Sequence, residues 1–246
     1  MLSLSLGAQE LANFVGTGNT ASPEIKDGKI TFRLAASYAT RVQITGGFMP
    51  TQKVMYNGRE NEVPITADMT RNAQGVWEYT IDMPAPELYT YNFIVDGVAV
   101  NDPSNVMQQR DGTRYLSILI VPGEFTENYF EANQRGNLTK LWYDSPSLGL
   151  NRRMYVYTPY GYDDPKNAKT KYPVLYLLHG GGGDEDAWSN MGRACQIMDN
   201  LIEKGLAVPM IVVMPNGNPT QQAASPLKLA VKEGRAEANA YVHSLA

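Results

Sequence analysis

Residues 172–179 read YPVLYLLH and run without a break into Gly180, Gly181, Gly182 and Gly183. A continuous apolar run of this length, with no alternation to mark a solvent face, predicts a strand buried on both sides as in a parallel sheet. Asp184, Glu185 and Asp186 follow at once. An acidic first turn suits a helix dipole, and the spacing predicts a helix continuing through Met191, Ile197, Met198 and Leu201 to Gly205. A second apolar strand over 209–214 then stops at Pro215-Asn216-Gly217. Strand, helix and strand in this order predict an open, mostly parallel sheet.

Working outward, residues 138–143 and 152–158 read as two further strands, joined by a turn containing Ser145, Pro146 and Gly149. Before them, residues 123–136 carry Phe125, Tyr129 and Phe130 among polar residues, the composition of a packed connector. The stretch 22–122 has a different period. Ile30, Phe32 and Leu34 alternate with polar neighbours, as do Val42 and Ile44, then Trp77, Tyr79, Ile81 and Met83, then Tyr89, Tyr91, Phe93 and Val95. Period two with no helical period predicts half-buried strands, and Asp96-Gly97 predicts a hairpin turn. About seven strands make an all-β, immunoglobulin-like sandwich the simplest arrangement. Residues 1–21 open with MLSLSLGAQE, a short apolar stretch ending in small residues. It lacks a basic n-region and reads either as the end of a signal peptide, of a secreted or periplasmic protein, or as an ordinary frayed terminus.

Composition removes several classes. The formal charge of -4 offers no basic face for phosphates, so nucleic acid is not expected as a partner. No apolar run reaches the ~18 residues that a membrane span needs. The single cysteine, Cys195, cannot form an intrachain disulfide, reads as a packed thiol, and leaves no cysteine metal site. The two histidines, His179 and His243, do not make a metal pair, and no metal or organic cofactor is expected.

The glycine run has three readings, of which the plainest is that the glycines only form a turn. A phosphate loop would carry GxxxxGK[ST] or GxGxxG, and neither is present; three acids after the glycines would also repel phosphate. Main-chain amides that approach a transient oxyanion fit better, because glycine has no Cβ in the way. His179, Gly180, Gly181 and Gly182 are therefore the candidate oxyanion loop. Ester hydrolysis by this route also needs a serine at a sharp strand-to-helix turn, an acid and a histidine base. No GxSxG occurs in the sequence, and Ser189, Ser225 and Ser244 do not stand between glycines.

The segments RRMYVYTPYGYDDP, KYPVLYLLHGGGGDEDAW, DNLIEKG and PMIVVMPNGN follow one another in an order that resembles carbohydrate esterase family 1. The resemblance runs from about Gly136 onward. It implies an α/β-hydrolase fold, feruloyl or acetylxylan esterase activity, enterochelin esterases as relatives, and a Ser-His-Asp triad. Matched to this sequence, it places no triad residue within the chain, so residues 137–246 read as the N-terminal part of an α/β-hydrolase domain, with the triad beyond residue 246 and this chain alone inactive. GVWEYTIDMPAPELYTYNFIVDGVAVNDPSN is similar to family-48 carbohydrate-binding modules. In that resemblance a platform tryptophan is matched here by Ala99 and the other is missing near Thr51. Trp77 is the candidate carbohydrate-binding residue, weighed against a core role for a ring that its strand pattern turns inward. Trp142 carries the same two readings, and Trp188, in the expected helix, reads as packed under the oxyanion loop.

The combined expectation is an immunoglobulin-like sandwich followed by a partial α/β-hydrolase domain. Its substrate would be acylated plant polysaccharide such as xylan. A non-catalytic carbohydrate-binding protein and an enterochelin-type siderophore esterase stand as alternatives.

Overall fold

A computed structural model describes residues 20–112 and 114–224. The chain divides into two compact units, one of Met1–Gln108 with Leu116–Val121 and one of Gln109–Tyr115 with Pro122–Ala246.

The first unit is built from strands whose alternation sets one face inward. These are β1 (Glu24–Lys26), β2 (Lys29–Ala35), β3 (Val42–Gly46), β4 (Thr51–Tyr56), β5 (Arg59–Pro64), β6 (Ala67–Asp68), β7 (Thr70–Arg71), β8 (Val76–Asp82), β9 (Leu88–Val95) and β10 (Val98–Val100). Next come β11 (Gln108–Asp111) and β12 (Arg114–Ile120), of which residues 109–115 belong to the second unit. One sheet runs β1-β2-β8-β7 and another β11-β12-β9-β3-β6 with β10 on β9, while β4 and β5 pair only with each other. Ile30, Phe32 and Leu34 of β2 and Val42, Ile44, Tyr91 and Phe93 of the second sheet close on one core. Asp27-Gly28, Asn57-Gly58 and Asp96-Gly97 all have positive φ, which lets two-residue hairpins follow the strand twist.

At the end of this core a carboxylate is fully buried. Asp102 accepts hydrogen bonds from Ser22 Oγ at 2.5 Å, Tyr91 Oη at 2.8 Å and the Ser104 amide at 2.8 Å. Burial raises its pKa above the ordinary carboxylate range, and the two hydroxyls oppose that only in part. A raised folded pKa means a contribution that is complete below the unfolded value, about 3.9, and lost as pH rises through the folded one. In Asp102→Asn that slope is expected to vanish. Urea unfolding from pH 3 to 8 should therefore show wild type losing stability relative to the variant as pH rises, and parallel curves would refute it.

In the second unit, β13 (Asn137–Ser145) and β14 (Leu150–Thr158) form a long hairpin, followed by β15 (Val174–Tyr176), helices α1 (Ala187–Asn190) and α2 (Ala194–Glu203), and β16 (Ile211–Pro215). Their sheet runs β13-β14-β16-β15. The expectation of an immunoglobulin-like sandwich followed by a partial α/β-hydrolase domain with a mostly parallel sheet is corrected here. The chain is mostly β with several antiparallel sheets, and no parallel-sheet α/β-hydrolase core is present among the described residues. Two of the three pairings in the second unit's sheet, β13–β14 and β14–β16, are antiparallel, and β15–β16 alone is parallel. The physical reason is connection length: the short turn after Ser145 permits only an antiparallel hairpin, whereas the helical crossover between β15 and β16 permits a parallel pair.

The two-sided burial expected of residues 172–179 is corrected as well. Tyr155, Tyr157, Val212 and Met214 are buried together with Ala194 of α2. Strand register puts Leu141, Met154, Val156, Val213 and Tyr176 on the opposite face, and Val174 and Tyr176 on the edge strand are 49% and 69% exposed. An apolar sequence states what a strand tolerates on each face, not what covers it. The single helix expected from Asp184 to Gly205 is two, broken where Arg193 takes a left-handed conformation at φ 48°. Gly192 lies against Trp188 so closely that a Cβ would sit 2.6 Å from the ring. The connector is laced along α2: Glu203 accepts from the Asn133 and Gln134 amides, Asn200 donates to Phe130 O, and Arg193 Nε donates to Tyr129 O at 2.7 Å. No helix among the described residues is long and apolar enough to cross a membrane.

Candidate active site: the glycine loop

The loop after β15 takes its shape from His179. Its Nε2 accepts the Gly217 N–H at 2.8 Å, so the proton is on Nδ1, which donates to Gly180 O at 2.8 Å. Gly180 O also receives the Gly183 N–H at 3.0 Å, closing a tight turn in which Gly182 has φ +80°. A side chain at Gly182 would be strained, and a Cβ at Gly183 would meet the His179 ring at 3.0 Å. The N–H groups of Gly181 and Gly182 have no hydrogen-bond partner among the described residues. With both ring nitrogens engaged, His179 orients the loop.

These glycines line a cavity of about 310 Å3, whose other walls are Arg110, Asp111 and Gly112, and Asp184, Ala187 and Met191. The acids after the glycines are anchors. Arg110, 4% exposed at its side chain, donates to Asp184 Oδ1 at 2.5 Å, to Asp186 Oδ2 at 3.0 Å and to Gly112 O at 2.5 Å, and its amide donates to Asn190 Oδ1. Burial would pull the guanidinium pKa down, but the two aspartates outweigh it and the net shift is upward. Glu185 is buried completely, accepting from Arg153 Nε at 2.7 Å, Asn216 Nδ2 at 2.9 Å and the Ala224 amide at 2.7 Å. Arg152 Nη2 donates to Asn216 O and Asn218 O, fixing the turn that supplies the Gly217 amide. Burial first, and then the Asp186 charge, pushes Tyr155 up to about 12.

The sequence-predicted residues fall in different places. His179, Gly180, Gly181 and Gly182 form one loop. Trp188 stands below it, its Nε1 donating to Leu178 O at 2.8 Å. Ser189 Oγ donates to Asp186, which makes it a local cap. Trp77 is in the core of the first unit, its Nε1 on Ala36 O and Arg71 over its ring, so no free face is left for a sugar. Trp142 is half exposed, with the Arg153 guanidinium over its ring at 5.8 Å. Burial, followed by the charges of Asp199 and Glu131, pushes the Cys195 thiol up to about 12, away from nucleophilic use. Ser225, Ser244 and His243 lie outside the described residues. No group of three or more His, Cys, Asp and Glu among the described residues could hold a metal ion. Sequence reading did not single out Arg110, Arg153, Glu185 or Asn216 as supports. The only local signal was three acids beside glycines, which read as the acidic first turn of a helix.

Residues 145–245 match a family model described as "Putative esterase". The chain is 33% identical over 195 residues to an endo-1,4-beta-xylanase/feruloyl esterase of Xylanibacter ruminicola, a match covering 78% of this chain and 25% of that protein. It is 40% identical over 88 residues to endo-1,4-beta-xylanase Y of Acetivibrio thermocellus, covering 35% of this chain and 7% of that protein. The chain thus spans a quarter or less of the length of these curated relatives. Among solved structures, the enterobactin esterase FES of Shigella flexneri in the presence of enterobactin is similar with a TM-score of 0.54 and 15% identity, over 90% of this chain and 60% of that one. That likeness is one of fold.

Proposed function

We propose that the chain carries the oxyanion-stabilising part of a serine carboxylic-ester hydrolase, secreted or periplasmic, that releases feruloyl or acetyl groups from xylan. The observation that carries this reading is the pair of free N–H groups at Gly181 and Gly182, held at a cavity by a loop whose shape is set by His179. When a serine attacks the ester carbonyl, the carbonyl oxygen becomes an anion. A preorganised amide 2.7–3.1 Å from that position stabilises the transition state far more than the ground state, and loss of one such donor costs roughly a factor of 10²–10³ in kcat. The sequence has no GxSxG, and we place the nucleophile, acid and base outside residues 1–246. The substrate class rests on the relatives named as xylanase and feruloyl esterase.

The test is to read the source gene past codon 246 and assay its whole product on methyl ferulate, p-nitrophenyl acetate and acetylated xylan. Turnover is expected, abolished by a serine-directed phosphonate, while the 246-residue chain is silent. Hydrolysis of enterobactin with no action on ferulate would move the reading to a siderophore esterase. Xylan binding with no turnover of any ester would leave a carbohydrate-binding protein.

A further inference from the structure

We propose that Arg110 is a positioning residue of this site, fixing the Gly180–Gly183 loop with its free amides toward the cavity and making the Asp111-Gly112 turn a wall of the acyl pocket. The ester chemistry in this statement rests on the function proposed above; the positioning of the loop does not.

Arg110 is buried and has four hydrogen-bond partners around the loop: Asp184, Asp186, Gly112 O and Asn190. Its guanidinium reaches Asp184, the residue directly after the four glycines, together with Asp186 and Gly112 O, and its own amide is tied to Asn190 of α1. One side chain therefore ties the downstream root of the loop, the first helix after it and the turn over 111–112. Asp184 also accepts the Asp186 amide at 3.1 Å, so the same carboxylate that meets Arg110 shapes the backbone leaving the glycines.

The upstream root is held separately, by His179 on Gly217 and Trp188 on Leu178 O. Beyond the bonds on Gly180 O, no side chain lies within 4 Å of the Cβ positions at Gly180, Gly181 and Gly182 to restrict the run. Their conformation is decided by the two anchored ends. Burial of both partners to 4% makes this anchor short-ranged and geometric. A planar fork meets Asp184, Asp186 and Gly112 O together; an ammonium of similar length meets one of them well.

The experiment uses the 246-residue chain, labelled with nitrogen-15, as wild type, Arg110→Ala and Arg110→Lys, with ferulate as the probe. Lysine keeps the charge beside Asp184, so the fold is retained where the alanine variant could lose it. The expected result is that both variants shift or broaden the Gly181 and Gly182 amide resonances, speed their hydrogen exchange, and weaken ferulate binding about tenfold or more. Amide changes in Arg110→Lys without ferulate binding even by wild type would uphold the positioning role and count against the ester reading. Arg110→Lys with wild-type Gly181 and Gly182 amides and wild-type ferulate affinity would overturn the proposal, because charge alone would then suffice.

Discussion

Glu185→Ala is expected to destabilise the second unit by about 3–5 kcal/mol, the cost of leaving a buried charge without its partner. Arg153 is only 11% exposed at its side chain, and its Nε has Glu185 as its carboxylate. The guanidinium also lies over the rings of Trp142 and Tyr155, so it cannot turn to solvent without giving up both contacts. Removing the carboxylate further leaves the buried Ala224 amide unmet, at about 1–3 kcal/mol, and leaves Asn216 Nδ2 only Gln221 Oε1 at 3.3 Å. Glu185→Gln keeps an oxygen for Arg153 and Ala224 but turns an N–H2 toward Asn216, and its expected cost is smaller. Urea unfolding followed by fluorescence in a Trp77→Phe background reads Trp142 and Trp188, both in this unit. A midpoint shift equivalent to less than about 1 kcal/mol for the alanine variant would show that Arg153 finds another partner or water.

That anchoring was hidden in the sequence for a simple reason. The glycine run and its histidine are contiguous, so a loop of exposed amides could be read from residues 179–183 directly. What holds the loop comes from afar: Arg110 meets Asp184 across 74 positions and His179 meets Gly217 across 38. Local pattern carries no information about such pairs, and acids beside a helix start are already accounted for by the helix dipole. The first unit was more legible because its signals are local. The alternation of Ile30, Phe32 and Leu34 is the burial pattern of β2, and Asp96-Gly97 is the turn between β9 and β10. Strand direction was the failure. Val174–Tyr176 and Ile211–Pro215 do pair in parallel, but β14, the hairpin strand beside β16, runs the other way. Side-chain pattern is the same for either direction, so the mostly parallel sheet was an extrapolation from one crossover.

Phe93→Ala is expected to cost the first unit about 3–5 kcal/mol, through lost transfer energy and the cavity left behind. Phe93 has no exposed surface, and its strand, β9, has β3 on one side and β10 and β12 on the other, so the backbone cannot collapse into the space. Its cross-strand neighbours are Ile44 on β3 and Val100 on β10. The ring packs edge to face on Tyr91 at 5.9 Å, and Tyr91 in turn meets Phe32 at 4.9 Å across the core. Loss of Phe93 therefore loosens a ring whose hydroxyl is bound to Asp102, coupling the apolar core to the buried carboxylate. Fluorescence of Trp77 reports this unit when Trp142→Phe and Trp188→Phe are introduced as background. Tyr38→Ala serves as the control: that side chain is 99% exposed, and its removal should stay within about 0.5 kcal/mol. Equal midpoints for the two variants would mean that the core does not pack around Phe93 as described.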